Sequence, residues 1–164
     1  MTTTETYAKP QIFLHWLIVA LVVAQFLSAD DMQKFFEKAE DAKVLAGFPT
    51  GTTAMVHALG GAAILVLMLI RLALRMSYGA PPPPASLSPM LQRLSRAAHY
   101  SFYVLLAAVP VTGALALYVN SDIGDAHVIL KNVLVAVIVA HVAGALAHVF
   151  YFKDGVVRRM IPKG

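Results

Sequence analysis

Residues 127–152 read HVILKNVLVAVIVAHVAGALAHVFYF. Lys131 is the only formally charged side chain in that run. A helix rises about 1.5 Å per residue and needs about 20 residues to cross the apolar core of a bilayer, so this stretch is long enough to span one. It is apolar nearly all round and lacks the strict alternation of a barrel strand. Working outward, three more stretches have the same character: IFLHWLIVALVVAQFLSA at 12–29, AMVHALGGAAILVLMLIRLALRM at 54–76 and AAHYSFYVLLAAVPVTGALALYV at 97–119. The reading is an all-α membrane protein with four transmembrane helices, about 12–29, 54–76, 97–119 and 127–152. The first stretch lacks a small-x-small cleavage site followed by a soluble domain, so it is expected to be a retained helix.

Composition agrees. Of 164 residues, 59% are hydrophobic and 13% charged, with a mean hydropathy of +0.69. A soluble domain is about half apolar and roughly a quarter charged. With no cysteine, the sequence offers no ligand for an iron–sulfur cluster, a thiolate zinc site or a covalent c-type haem. The length suits one domain, and residues 1–164 are expected to form a single membrane-embedded unit.

Lys and Arg set the expected orientation. The N-terminal tail, the connection between the second and third helices, and the C-terminal tail carry Lys9, Arg71, Arg75, Arg93, Arg96, Lys153, Arg158, Arg159 and Lys163, against Glu5 and Asp154. That side sums to +7. The other side holds Lys34, Lys38, Lys43 and Lys131 against Asp30, Asp31, Glu37, Glu40, Asp41, Asp122 and Asp125, a sum of −3. Both termini are therefore expected in the cytoplasm of a multi-pass inner-membrane protein. The basic excess is a topology signal; no nucleic-acid motif accompanies it.

The connections differ in kind. Within residues 30–53, Phe35, Ala39, Ala42 and Leu45 can share one face of a short interfacial helix, ended by Gly47, Pro49 and Gly51. Pro81–Pro84 predict a stiff extended linker. The connection around Asn120–Asp125 is very short, which makes consecutive helices antiparallel neighbours in an up-down-up-down bundle. Pro110 with Gly113 is expected to bend or open the third helix.

Six histidines, His15, His57, His99, His127, His141 and His148, all fall in or at the ends of these stretches. Polar side chains in a membrane span are costly and usually functional. A bundle that uses histidine only as interhelical glue is the non-redox reading, and six of six weighs against it. A metal-transport path is weaker, because the histidines sit at separate depths with no carboxylates beside them. His127 and His141 lie fourteen residues apart, about 21 Å along a helix and within about 40° of one face. His57 matches the outer level and His15 the inner one. Two facing imidazoles on different helices can hold a haem iron from both sides. Spacing alone leaves His15 free to pair with His141 or with His148, seven residues on. Gly60, Gly61 and Gly144 lie where missing side chains admit a flat macrocycle, a pattern that ordinary small-residue helix packing also gives. Arg71, fourteen after His57, and Arg75 are candidates for haem propionates.

These residues together resemble the bacterial cytochrome b561 family, four-helix dihaem b-type membrane cytochromes related to the cytochrome b subunits of hydrogenases and formate dehydrogenases. The resemblance covers nearly the whole chain. It rests on His15-Trp16, on His57 with Gly61, Arg71 and Arg75, and on His99 with Pro110 and Gly113. It continues through His127, His141 and His148 to Lys153-Asp154, Arg159-Met160 and Pro162. It implies two noncovalent haem b groups, held by His15 and His141 on the inner side and by His57 and His127 on the outer side. His99 and His148 are left for quinone or propionate contact. The implied activity is electron transfer across the inner membrane between a periplasmic donor and the quinone pool, with ubiquinone as the expected partner. Some members resemble superoxide oxidases, which pass an electron from superoxide to ubiquinone. That activity implies a cationic outer entrance, and the outer sum here is −3, with the four outer lysines left as a local funnel. A membrane anchor subunit of a larger redox enzyme is the remaining alternative.

Overall fold

The computed structural model describes residues 6–84 and 87–161. Glu5, Lys163 and Pro162, used above for charge and resemblance, lie outside the described residues. Four long helices follow one another: α1 Lys9–Asp41, α2 Thr52–Tyr78, α3 Pro89–Tyr118 and α4 Ile123–Ala147. All four are long and apolar enough to cross a membrane, the last span continuing to Phe152. Consecutive helices are antiparallel, so both described ends of the chain lie at one end of the bundle. Trp16 Nε1 donates to the carbonyl of Met160 at 2.7 Å, tying them together.

α1 begins where Pro10 can occupy the first turn without losing a helical bond. The Gln11 side-chain oxygen accepts the Ala8 N–H at 3.0 Å. The helix then runs 33 residues, about 50 Å. That exceeds the roughly 30 Å bilayer core, and the excess is the charged segment after Ser28. A separate interfacial helix was expected there; instead Asp30–Asp41 continues α1 without a break. No Gly or Pro intervenes, and Met, Gln, Lys, Glu and Ala are good helix formers. The helix also stops before Gly47. Lys43 takes a left-handed φ of 55°, its N–H bonds to Glu40 O, and the Val44 N–H bonds to Ala39 O. This pair of bonds closes the last carbonyls, with Lys43 where glycine is usual.

α2 ends at Gly79, whose φ of 74° favours glycine. Pro81–Pro84 follow without regular structure. α3 starts at Ser88-Pro89, eight residues before the apolar run. Ser88 Oγ accepts the Leu91 N–H, and Pro89 takes the first helical position. α3 is not opened at Pro110; it remains helical through to Tyr118. The turn into α4 is shorter than expected, from Val119 to Asp122. Gly124 gives up its side chain to Phe36, whose ring would stand 3.2 Å from a Cβ there. The extension of α1 thus leans over that turn. α4 passes into a π-helical turn, His148–Phe152, and the chain closes with a short 3-10 helix, Val157–Met160.

α1 packs on α2, α3 on α4, and α2 on α3, while α1 and α4 scarcely meet through their backbones. The protein core is thin, formed by residues such as Ile18, Ile64, Met68, Leu105 and Leu134. Leu27, Val139 and many other large apolar side chains face outward. In a bilayer that surface costs nothing, because lipid tails are as apolar as the side chains.

Candidate haem sites

His15 enters from α1 and His141 from α4. Their ring centres are 6.4 Å apart with planes crossed at 70°. Metal–imidazole nitrogen bonds are about 2.0 Å, so two imidazoles on opposite sides of one metal have ring centres roughly 6 Å apart. The pair has that spacing across a gap that neither helix fills with backbone. His99 and Phe102 of α3 stand edge-on to His141, at 5.4 and 5.2 Å. His99 Nδ1 bonds to Ser95 O at 2.7 Å. Arg71 and Arg75 stand in the last turns of α2, at this end of the bundle. The Arg71 guanidinium also donates to Gln11 O, and Gln11 Nε2 donates to Gly79 O at 3.0 Å. This network locks the start of α1 to the end of α2.

His148 is drawn away from His15. Its Nδ1 meets Asp154 Oδ2 at 2.7 Å, and Asp154 Oδ1 accepts the Val156 N–H at 3.1 Å. The π-helical turn and the left-handed Lys153 (φ 50°) bring the carboxylate back onto the ring. Of the two histidines that spacing left open to His15, His141 is the one whose ring stands beside it.

At the opposite end of the bundle are His57, near the start of α2, and His127, near the start of α4. His127 Nδ1 bonds to Val109 O at 2.9 Å. Gly113 makes this possible: a Cβ there would stand 3.1 Å from the His127 ring. His57 Nδ1 lies 3.3 Å from Ser28 Oγ. Both rings thus commit Nδ1 to the protein and keep the Nε2 lone pair, the arrangement usual for metal-bound histidine.

The glycines divide. Gly144 has open space where a Cβ would go. Gly60, expected to face a macrocycle, instead admits the Gln25 side chain. That amide nitrogen is buried without a hydrogen-bond partner among the described residues, an unmet donor within one turn of His57. Among the described residues, no three His, Asp or Glu side chains converge as a bare-ion cage. Imidazoles paired between α1 and α4, whose backbones scarcely meet, fit a planar group held from two sides; Gly144 is exposed on the bundle. Ser28, Val109 and Gln25 were not singled out from the sequence. A backbone acceptor leaves no sequence signal, and a serine in an apolar run reads as a small residue.

The model of the prokaryotic cytochrome b561 family matches residues 6–163. The chain belongs to the prokaryotic cytochrome b561 family. This cytochrome b561 is 30% identical to "Probable superoxide oxidase CybB" of Yersinia pestis over 97% of both chains. It is likewise 30% identical to "Cytochrome b562" of Cereibacter sphaeroides over 98% of both. The figure for "Cytochrome b561 homolog 1" of Escherichia coli K12 is 27%, over 96% of this chain and 97% of that one. It is a multi-pass bacterial membrane electron-transfer protein, and its family implies haem b.

Proposed function

We propose that this cytochrome b561 binds two haem b groups and carries electrons across the inner membrane between a periplasmic donor and the quinone pool, with both termini in the cytoplasm. The observation that carries the reading is the spacing of His15 and His141 between two helices whose backbones scarcely meet, with His57 and His127 toward the other end of the bundle. His15 and His141 hold the inner group, His57 and His127 the outer one. Bound haem supplies reversible one-electron chemistry at each level. The chain's own part is to fix depth, exclude water and orient the ligands. Paired imidazoles from His15 and His141, or from His57 and His127, would leave a bound haem no open site for oxygen. Arg71 and Arg75 stand ready for inner propionates. His148, paired with Asp154, would contact a quinone on the cytoplasmic side and hand it a proton, and His99 would support the inner site. Residues 1–164 act as one domain.

A reduced-minus-oxidised spectrum with haem quantification on purified protein tests this. Two b haems per chain are expected, with quinone reoxidising both; one haem or none per chain overturns the dihaem reading.

A second reading, superoxide:ubiquinone oxidoreduction, is favoured by the similarity to the Yersinia protein. Superoxide must then reduce the haems faster than it dismutates, and failure to do so removes it.

A further inference from the structure

The two proposed ligand pairs differ in what holds their rings. Ser28 lies on α1, 2% exposed. Its hydroxyl donates to Ala24 O at 2.8 Å, with Gln25 O at 3.3 Å. With its hydrogen committed there, Ser28 Oγ can only accept from His57 Nδ1, 3.3 Å away. The ring is thereby held as the Nδ1–H tautomer with Nε2 free, and the Gln25 carbonyl beside it is a second acceptor for the same N–H. Val109 O does the same for His127. Among the described residues, neither His15 nor His141 has such a partner; the other ring-nitrogen bonds belong to His99 and His148.

A hydrogen bond at Nδ1 makes the imidazole a more basic ligand. A stronger donor stabilises the oxidised metal and lowers its potential. A cation stands near each level, Arg71 by His15 and His141, Lys131 by His127. The inner side also carries Arg75 and a sum of +7 against −3 outside, so charge orders the two sites the same way as the hydrogen bonds, and only the hydrogen bonds are changed by an uncharged substitution at Ser28.

We propose that Ser28 is a positioning residue for His57, fixing its tautomer and helping to set the outer haem at the lower potential of the two. The inference rests on the proposal that His57 and His127 hold the outer haem. It gives transfer from outside to inside a downhill direction built into α1.

The test is a redox titration of the haem-loaded protein, followed by α-band absorbance and by the low-spin EPR signals. His57→Ala identifies the outer component by its loss. Ser28→Ala is expected to raise the outer midpoint, leave the inner one unmoved and shift the outer EPR g values. Ser28→Thr, which keeps the hydroxyl, is expected to retain the wild-type midpoint. Selective loss of the outer haem in Ser28→Ala also supports the positioning role. An outer midpoint that stays put or falls in Ser28→Ala overturns the proposal. So does loss of both haems, or an equal shift in Ser28→Thr. An outer midpoint above the inner one in the wild type overturns the ordering. Retention of both haems by His57→Ala instead overturns the ligand assignment beneath it.

Discussion

His15 and His141 approach to 6.4 Å between ring centres although α1 and α4 scarcely touch. Their side chains span a space that the backbones leave open, and the pairing predicts a simple substitution pattern. His15→Ala and His141→Ala are each expected to lose the same haem and keep the other, leaving about half the bound haem. His57→Ala and His127→Ala are expected to do the converse. Pyridine haemochrome assays with α-band spectra read this directly. Loss of different haems from His15→Ala and His141→Ala would refute the pairing.

The two glycines beside the ligands make a sharper pair. At Gly113 an added methyl meets the His127 ring at 3.1 Å. Gly113→Ala is expected to push that ring off Val109 O, lower the outer haem content and destabilise the bundle by about 1–3 kcal/mol. At Gly144 the chain itself leaves room. Gly144→Ala is expected to leave the stability of the haem-free chain within about 0.5 kcal/mol, while lowering inner haem occupancy. Thermal melts of haem-free and haem-loaded samples separate the two effects. Normal inner haem content in Gly144→Ala would mean that the open space faces lipid.

The number, order and direction of the helices were legible because a bilayer demands long apolar runs, and four such runs leave little choice. Their ends were not. Hydropathy marks the part of a helix that crosses apolar medium. α1 runs on to Asp41 and α3 begins at Pro89, where polar but helix-compatible residues continue the backbone hydrogen bonds. The histidines were legible because a polar ring in a span is costly. What orients them was not: Ser28 and the Val109 carbonyl act through positions only the packed helices create. Gly60 shows the limit of reading small residues, since its missing side chain admits Gln25.

In the proposed orientation, the charge on the outer face is expected to discriminate electron donors. With a sum of −3 outside, a small cationic reductant is expected to reduce the outer haem more slowly as ionic strength rises from about 0.01 to 0.15 M, because screening shortens the Debye length from about 30 to 8 Å. An anionic reductant is expected to speed up over the same range. Stopped-flow reduction in nanodiscs measures both. The reverse order would show that Lys34, Lys38, Lys43 and Lys131 form a local cationic entrance that outweighs the net charge.

The His148–Asp154 contact, 2.7 Å at the end of α4, allows the proposed quinone role to be tested apart from haem binding. Asp154→Asn keeps the shape but removes the carboxylate that orients the ring, and also weakens the cap on Val156. It is expected to retain both haems and their spectra, while slowing quinone-driven reoxidation by about 10- to 100-fold, the range seen when a histidine loses the partner that orients it. His148→Phe is expected to slow it at least as much. Unchanged reoxidation in both variants would place the quinone elsewhere.

Haem removal tests whether the cofactor is part of the fold. α1 meets the rest of the bundle mainly through α2, and the protein core between the helices is thin. A ligand that binds only the folded state stabilises it by RT ln(1 + [L]/Kd), about 2.7 kcal/mol when present at 100 Kd. Protein made under haem limitation is therefore expected to melt at lower temperature. It should also be cleaved sooner in the Pro81–Pro84 connection, which Arg159 holds to the C-terminal segment by a 2.8 Å bond to Pro82 O. Added haemin is expected to restore both properties in proportion to the α-band recovered. Equal melting temperatures with and without haem would mean that α1 and α4 close on each other unaided, and would argue against a cofactor between His15 and His141.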